Sequence, residues 1–265
     1  MKKKIAALLC AFAVVTQVPV YSAMASAEKP AAASNASSEM NTEIPKGEPV
    51  DENEASEIIK KVNEKMSEVK NVEIEGTSKI KTQGQESVMD TKGVYDFEDG
   101  AAKMQMTMSG QNVDTFVKDG KSYVMSPESG EWTYTELAEG NGVKDSVILS
   151  EEAQKFMTVE KLSDGYVIRT KKPLNKEELE KVNADGNFSD ALGSDAQNMK
   201  ITADIAVVVD NDMKYKDFYM DMKIGATEAN DEMTIRMHTS YRNYDKAEKI
   251  ETPEGIDEAQ PAAQQ

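Results

Sequence analysis

In residues 101 to 112, AAKMQMTMSGQN, Met104, Met106 and Met108 occupy every second position, with Gln105 and Thr107 between them. Alternation of this period puts one class of side chain on each face of a strand. The pattern recurs near the end of the chain. Ile201, Ala203, Ile205, Val207 and Val209 share a face, as do Phe218, Met220, Met222 and Ile224, and again Met233, Ile235 and Met237. The opposite faces carry Lys103, Gln105 and Thr107, then Asp221 and Lys223, then Thr234, Arg236 and His238. A sheet apolar on one side is expected. Lys214 and Lys216 break the parity of Phe218, which would follow if that end of the strand lay outside the buried zone.

Between these strands the period changes. In ENEASEIIKKVNEKMSEVKNVE, Ile58, Ile59, Val62, Met66 and Val69 fall on one face at helical spacing, and acidic residues crowd the start, where the helix dipole favours them. A second helical stretch is expected in SVILSEEAQKFMTVEKL, capped by Ser150, with Ala153, Phe156 and Met157 on one side. A third follows Pro173 and ends before Gly186. The remaining segments, VEIEGTSKIK, ESVMDTKGVYDFED, NVDTFVKDGKSYVMS, EWTYTEL and DGYVIRTKK, read as strands joined by polar turns. Lys118-Asp119-Gly120-Lys121 is the clearest hairpin signal. Successive hairpins with a few separate helices predict an α+β fold: a strongly curved antiparallel sheet, an open half-barrel, with helices over its apolar concave face.

The two ends change where that domain starts and stops. MKKK, then IAALLCAFAVV, then SAMASA form a secretory leader with an expected cut after Ala27, giving an exported protein without a transmembrane segment in its mature form. Residues 28–50, rich in Ala, Ser, Glu and Pro, read as a flexible linker, residues 51–257 as the domain, and 258–265 as a disordered tail. Cys10, the one cysteine, lies inside the leader's apolar run rather than after it, so lipidation is not expected and the mature chain has no thiol chemistry.

Charge narrows the partners. The chain has 31 basic and 48 acidic residues, net −17; without Lys2, Lys3 and Lys4 of the leader this becomes 28 against 48, or −20. Such a charge argues against nucleic acid or an anionic membrane surface as a partner. No catalytic constellation, cofactor motif or metal site is expected. His238 is the only histidine and falls on the polar side of its strand, as a solvated residue. No glycine-flanked serine elbow accompanies it. Asp210-Asn211-Asp212 fits a turn, Asp185, Asp190 and Asp195 lack calcium-hand spacing, and Trp132 with Tyr134 reads as strand-end packing under a loop.

The order of elements resembles a known group. An opening helix IIKKVNEKMSEVKNVEIEGT, the passage DGKSYVMSPESGEWTYTEL, the strand-turn-strand VVVDNDMKYKDFYMDMKI and the closing SYRNYDKAEKIETPEGI stand in the order of Gram-positive extracytoplasmic lipoproteins of LolA/LolB-like and LppX/LprG-like fold. The resemblance spans residues 52 to 257. It implies a half-barrel whose better-known members carry lipids or lipoproteins. It further implies a cavity lined here by Met104, Met106, Met108, Ile205, Val207, Phe218, Met220, Met222, Met233, Ile235 and Met237, with a lid helix bearing Ile58, Val62 and Met66. The expected function is non-enzymatic binding of a hydrophobic ligand: a lipid, an acyl chain or a lipoprotein segment. The alternative is a surface interaction or sensory scaffold whose core is filled and takes no ligand.

Overall fold

The computed structural model describes residues 43–108, 110–127, 129–137, 149–182, 199–226 and 232–262. The leader with Cys10, and Asp185, Asp190 and Asp195, lie outside them. Among the described residues the strands are β1 (Glu48–Pro49), β2 (Asn71–Thr82), β3 (Gln85–Asp96), β4 (Ala101–Met108), β5 (Gln111–Lys118), β6 (Lys121–Met125), β7 (Trp132–Glu136), β8 (Met157–Leu162), β9 (Gly165–Thr170), β10 (Leu174–Asn175), β11 (Ile201–Val209), β12 (Tyr215–Ile224), β13 (Met233–Arg242) and β14 (Gln260–Pro261). The helices are α1 (Glu52–Glu68), α2 (Glu151–Gln154) and α3 (Lys176–Val182), with a 3-10 turn at Ile256–Glu258.

The strands form one open, curved sheet in the order β1-β8-β9-β11-β12-β13-β2-β3-β4-β5-β6-β7-β14, with β10 paired to β11. All pairings are antiparallel except β14 with β7. The architecture is α+β, as the alternation and hairpin spacing predict. The Asp119-Gly120 turn carries φ of 50° and 72°, the positive pair that a two-residue primed hairpin requires.

The inner face is the one that α1 covers. Asp51 caps that helix by accepting from the backbone N–H groups of Asn53 and Glu54, and Ile58, Ile59, Val62 and Met66 are its buried stripe. Asn63 ties it down: its Nδ2 donates to the Leu149 carbonyl at 2.8 Å while its Oδ1 accepts from the Leu149 N–H at 3.0 Å. Ser150, the expected cap, accepts from Ala153 N–H and starts α2.

Four expectations need correction. Residues 157 to 162 are a strand, not the continuation of a helix; α2 stops at Gln154, and Met157 and Val159 then alternate inward as β8. The lysine anomaly before Phe218 is a β-bulge. Val208 pairs with Asp217 but Val209 with Tyr215, so Lys216 is the extra residue and Tyr215 turns inward, 1% exposed. The outer face is also not uniformly polar. Val167, Ala206, Val208 and Tyr219 form an apolar patch there under Ile44 and Leu162, and Phe116, Trp132 and Ile256 form another. Finally, the last residues of the expected linker and the first of the expected tail are ordered as β1 and β14, one on each edge of the sheet.

Candidate functional site

Because the register is continuous, the inner face can be read as rows running across the strands. One row is Val159, Ile168, Val207, Phe218, Thr239, Gly76, Thr91, Met106 and Val113, from β8 to β5. The next, toward the β4–β5 turn, includes Ile205, Met220, Met237, Ser78, Met89 and Met108. On the other side of the first row lie Tyr241, Ile74, Gly93, Met104 and Thr115. All the sequence-predicted lining residues therefore share this face.

They do not form one group. Met104, Ile205, Val207, Phe218, Met220, Met222, Ile235 and Met237 join Ile58, Val62 and Met66 of α1 in a single packed core, with Met233 half-buried at its border. Met106 instead pairs with Met89, each 1% exposed, and Met108 and Val113 pack against them half-buried. No α1 residue belongs to this second group. Met89 and Val113 were absent from the predicted lining. Their alternation with Asp90 and Asp114 was visible, but which face they join depends on a register that sequence does not carry.

Between the two groups the face dips. Ile74, Gly76, Thr77, Ser78, Thr91, Met237 and Thr239 surround a notch of about 10 Å³. A wider, charged hollow of about 480 Å³ lies elsewhere, at the β11–β12 turn, against Arg242, Asn243 and Tyr244. There the Asp210 carboxylate accepts from the N–H groups of Asp212 and Lys214, the turn role expected of it.

His238 is not a solvated side chain, contrary to the sequence reading. Its ring stacks on Tyr219 at 4.6 Å and its Nε2 lies 2.9 Å from Asp217 Oδ1. Ser240 Oγ donates to that same carboxylate oxygen at 2.7 Å. Serine and histidine thus meet on one carboxylate oxygen, and the serine proton is directed to the acid. Half-burial pushes the Asp217 carboxyl up, but the hydrogen bonds from His238 and Ser240 outweigh it and hold the group below its ordinary value. Among the described residues no three His, Cys, Asp or Glu side chains gather as a metal site, and no helix is long and apolar enough to cross a membrane.

No family model matches the chain, and neither does any curated protein. Solved structures do match. The lipoprotein LppX of Mycobacterium tuberculosis is 10% identical, covering 76% of this chain and 100% of its own, at a TM-score of 0.45. LprF from Mycobacterium bovis is 9% identical over 78% of this chain and 99% of its own, at 0.41. A putative outer membrane lipoprotein-sorting protein domain from Vibrio parahaemolyticus is 10% identical over 74% and 94%, at 0.31. These are proteins of the LppX and lipoprotein-sorting kind that the order of elements resembles. At such scores and identities the likeness assigns this chain no ligand and no partner.

Proposed function

We propose that the chain is an exported, non-enzymatic protein that binds a hydrophobic guest, a lipid, an acyl chain or a lipid-modified segment, on the β3–β5 half of its inner face. In this reading the leader is removed after Ala27 and Cys10 leaves with it, so the protein acts without a lipid anchor on that cysteine. One observation carries the proposal: Met89, Met106, Met108 and Val113 form an apolar group on the inner face, apart from the core that α1 fills. Methionine suits a surface that adapts to guests of varied shape, because three rotatable bonds and a polarizable sulfur let it repack. Apolar area removed from water there contributes about 25 cal/mol per Å² before association costs.

A specific observation favours the scaffold reading for the other half. Met104, Met220 and Met222 are 1%, 3% and 3% exposed within the main core. Those predicted lining residues act as core, and the guest-binding role contracts to Met108 and Val113, the half-buried border of the Met89–Met106 group.

Native mass spectrometry of protein purified without detergent tests the proposal, together with uptake of a pyrene-labelled acyl chain. A co-purifying lipid, or uptake that Met108→Ala weakens, is the expected result. A clean apo mass with no uptake overturns it and leaves the filled scaffold, for which crosslinking at the cell surface should recover a protein partner.

A further inference from the structure

The row that crosses the inner face is apolar at Phe218 and again at Met106, but between them come Thr239, Gly76 and Thr91. Ser78 sits beside them in the next row, between Met237 and Met89. Ser78 is 3% exposed and Thr239 5%. Among the described residues no side-chain hydrogen bond is found for the hydroxyls of Ser78, Thr91 or Thr239, and the orphaned buried side-chain oxygen is Asp221 Oδ1, so these three hydroxyls open onto the notch rather than being sealed in. Gly76 leaves the backbone bare at their centre, and a Cβ there would lie 2.7 Å from Thr239 Oγ1. The result is the notch of about 10 Å³, close to the space one oxygen-sized group occupies.

Three hydroxyls side by side give this part of an otherwise apolar face hydrogen-bond donors that alanine or valine of similar shape would not supply. Among the described residues the lining also contains no charged side chain. A carboxylate or phosphate brought there would be desolvated with no countercharge, whereas a neutral carbonyl oxygen would accept the hydroxyl protons. We propose that this notch is a polar subsite for the neutral carbonyl of an acyl ester or amide, with the attached chain running on toward Met108 and Val113, the half-buried border of the Met89–Met106 group. The inference rests on the reading that the inner face binds a hydrophobic guest, and adds that the guest carries an uncharged acyl linkage.

The test compares 1-pyrenedecanoic acid with its methyl ester at pH 8, where the acid is ionised and the hydrocarbon and fluorophore are the same. Binding is followed by pyrene fluorescence in the wild type and in a Ser78→Ala, Thr91→Val, Thr239→Val variant. The changes are nearly isosteric, and circular dichroism and a thermal melt establish that the variant is folded. If it is not, Thr91→Val alone serves, since Thr91 is only half-buried. The triple variant is expected to bind the ester about tenfold more weakly, one to two lost hydrogen bonds' worth, and the acid within about twofold of wild type. The infrared carbonyl band of the bound ester should lie at lower wavenumber in the wild type than in the variant. Ester affinity and carbonyl band unchanged by the substitutions, or both probes weakened alike, would overturn the subsite while leaving guest binding intact. If neither probe binds wild type, the guest-binding reading itself fails and the subsite falls with it.

Discussion

Tyr95 donates its phenolic hydrogen to the thioether of Met104 across 3.3 Å, with both side chains in the inner core. The two are diagonal neighbours: Tyr95 stands opposite Ala102, and Met104 opposite Gly93. Met104 leans over that glycine, its Cγ 2.7 Å from where a Cβ would be, with the Lys103 carbonyl oxygen at 2.4 Å. Gly93 is therefore required by close approach rather than by its backbone angles. Gly93→Ala must displace both the thioether and a strand carbonyl, and should cost about 1–3 kcal/mol as overpacking does. Urea unfolding checks it through a lower midpoint at unchanged slope.

The two methionine groups separate in a pair of truncations. Met220 belongs to the main core at 3% exposure, so Met220→Ala should destabilise by about 2–5 kcal/mol. Met108 is half-buried at the border of the second group. Met108→Ala should cost about 1 kcal/mol or less and weaken acyl-probe uptake severalfold. Denaturation and fluorescence titration of the same two variants decide between them. Equal stability losses with equal binding would mean that both methionines are simply core.

Much of the apolar face was legible from alternation alone, because Met104, Met106, Met108 and the runs in β11, β12 and β13 hold their parity over several residues. The stripe of α1 and the cap at Ser150 were legible for the same reason: each is a local pattern with one physical reading. What failed depended on partners distant in sequence. The bulge at Lys216 inverts parity, and only the pairing with β11 reveals it. β8 was hidden because Phe156 and Met157 also satisfy a helical spacing. Ser78, Thr91 and Thr239 look like ordinary strand residues until register sets them side by side. His238 looks solvated until Asp217 and Tyr219 are found beside it.

Asp217 makes stability depend on pH in the acid range. Its folded-state pKa is depressed, since the hydrogen bonds from His238 and Ser240 outweigh the effect of half-burial. A depressed carboxylate contributes stability that is fully present above its unfolded value, about 3.9, and is lost as pH falls through the folded value. Stability should therefore fall between about pH 4 and the lower, folded value, and Asp217→Asn should flatten that part of the curve. Urea midpoints of both proteins from about pH 2 to pH 6 make the comparison; parallel curves would show that this carboxylate is not a source of the acid sensitivity.

Both edges of the sheet are closed by proline-bearing pairs, Glu48–Pro49 on β8 and Gln260–Pro261 on β7. An exposed edge offers unpaired N–H and C=O groups to another chain, and a short strand with proline blunts that offer. On the β7 side the closure is anchored: Trp132 Nε1 donates to the Glu254 carbonyl at 3.1 Å, Ile256 packs on Trp132 and Phe116, and Ala262 N–H donates to the Tyr134 carbonyl. Trp132 is the only tryptophan, so its emission reports this segment alone. Ending the chain after Glu258 removes β14 but keeps Ile256 and the Glu254 carbonyl. That variant should keep a blue-shifted tryptophan while self-associating with rising concentration, because β7 is left open. Ending it before Glu254 should add a red shift, as the indole loses its acceptor and its apolar cover. Light scattering and fluorescence separate the two effects, and a monomeric Glu258-terminated chain at high concentration would show that β14 does not guard the edge.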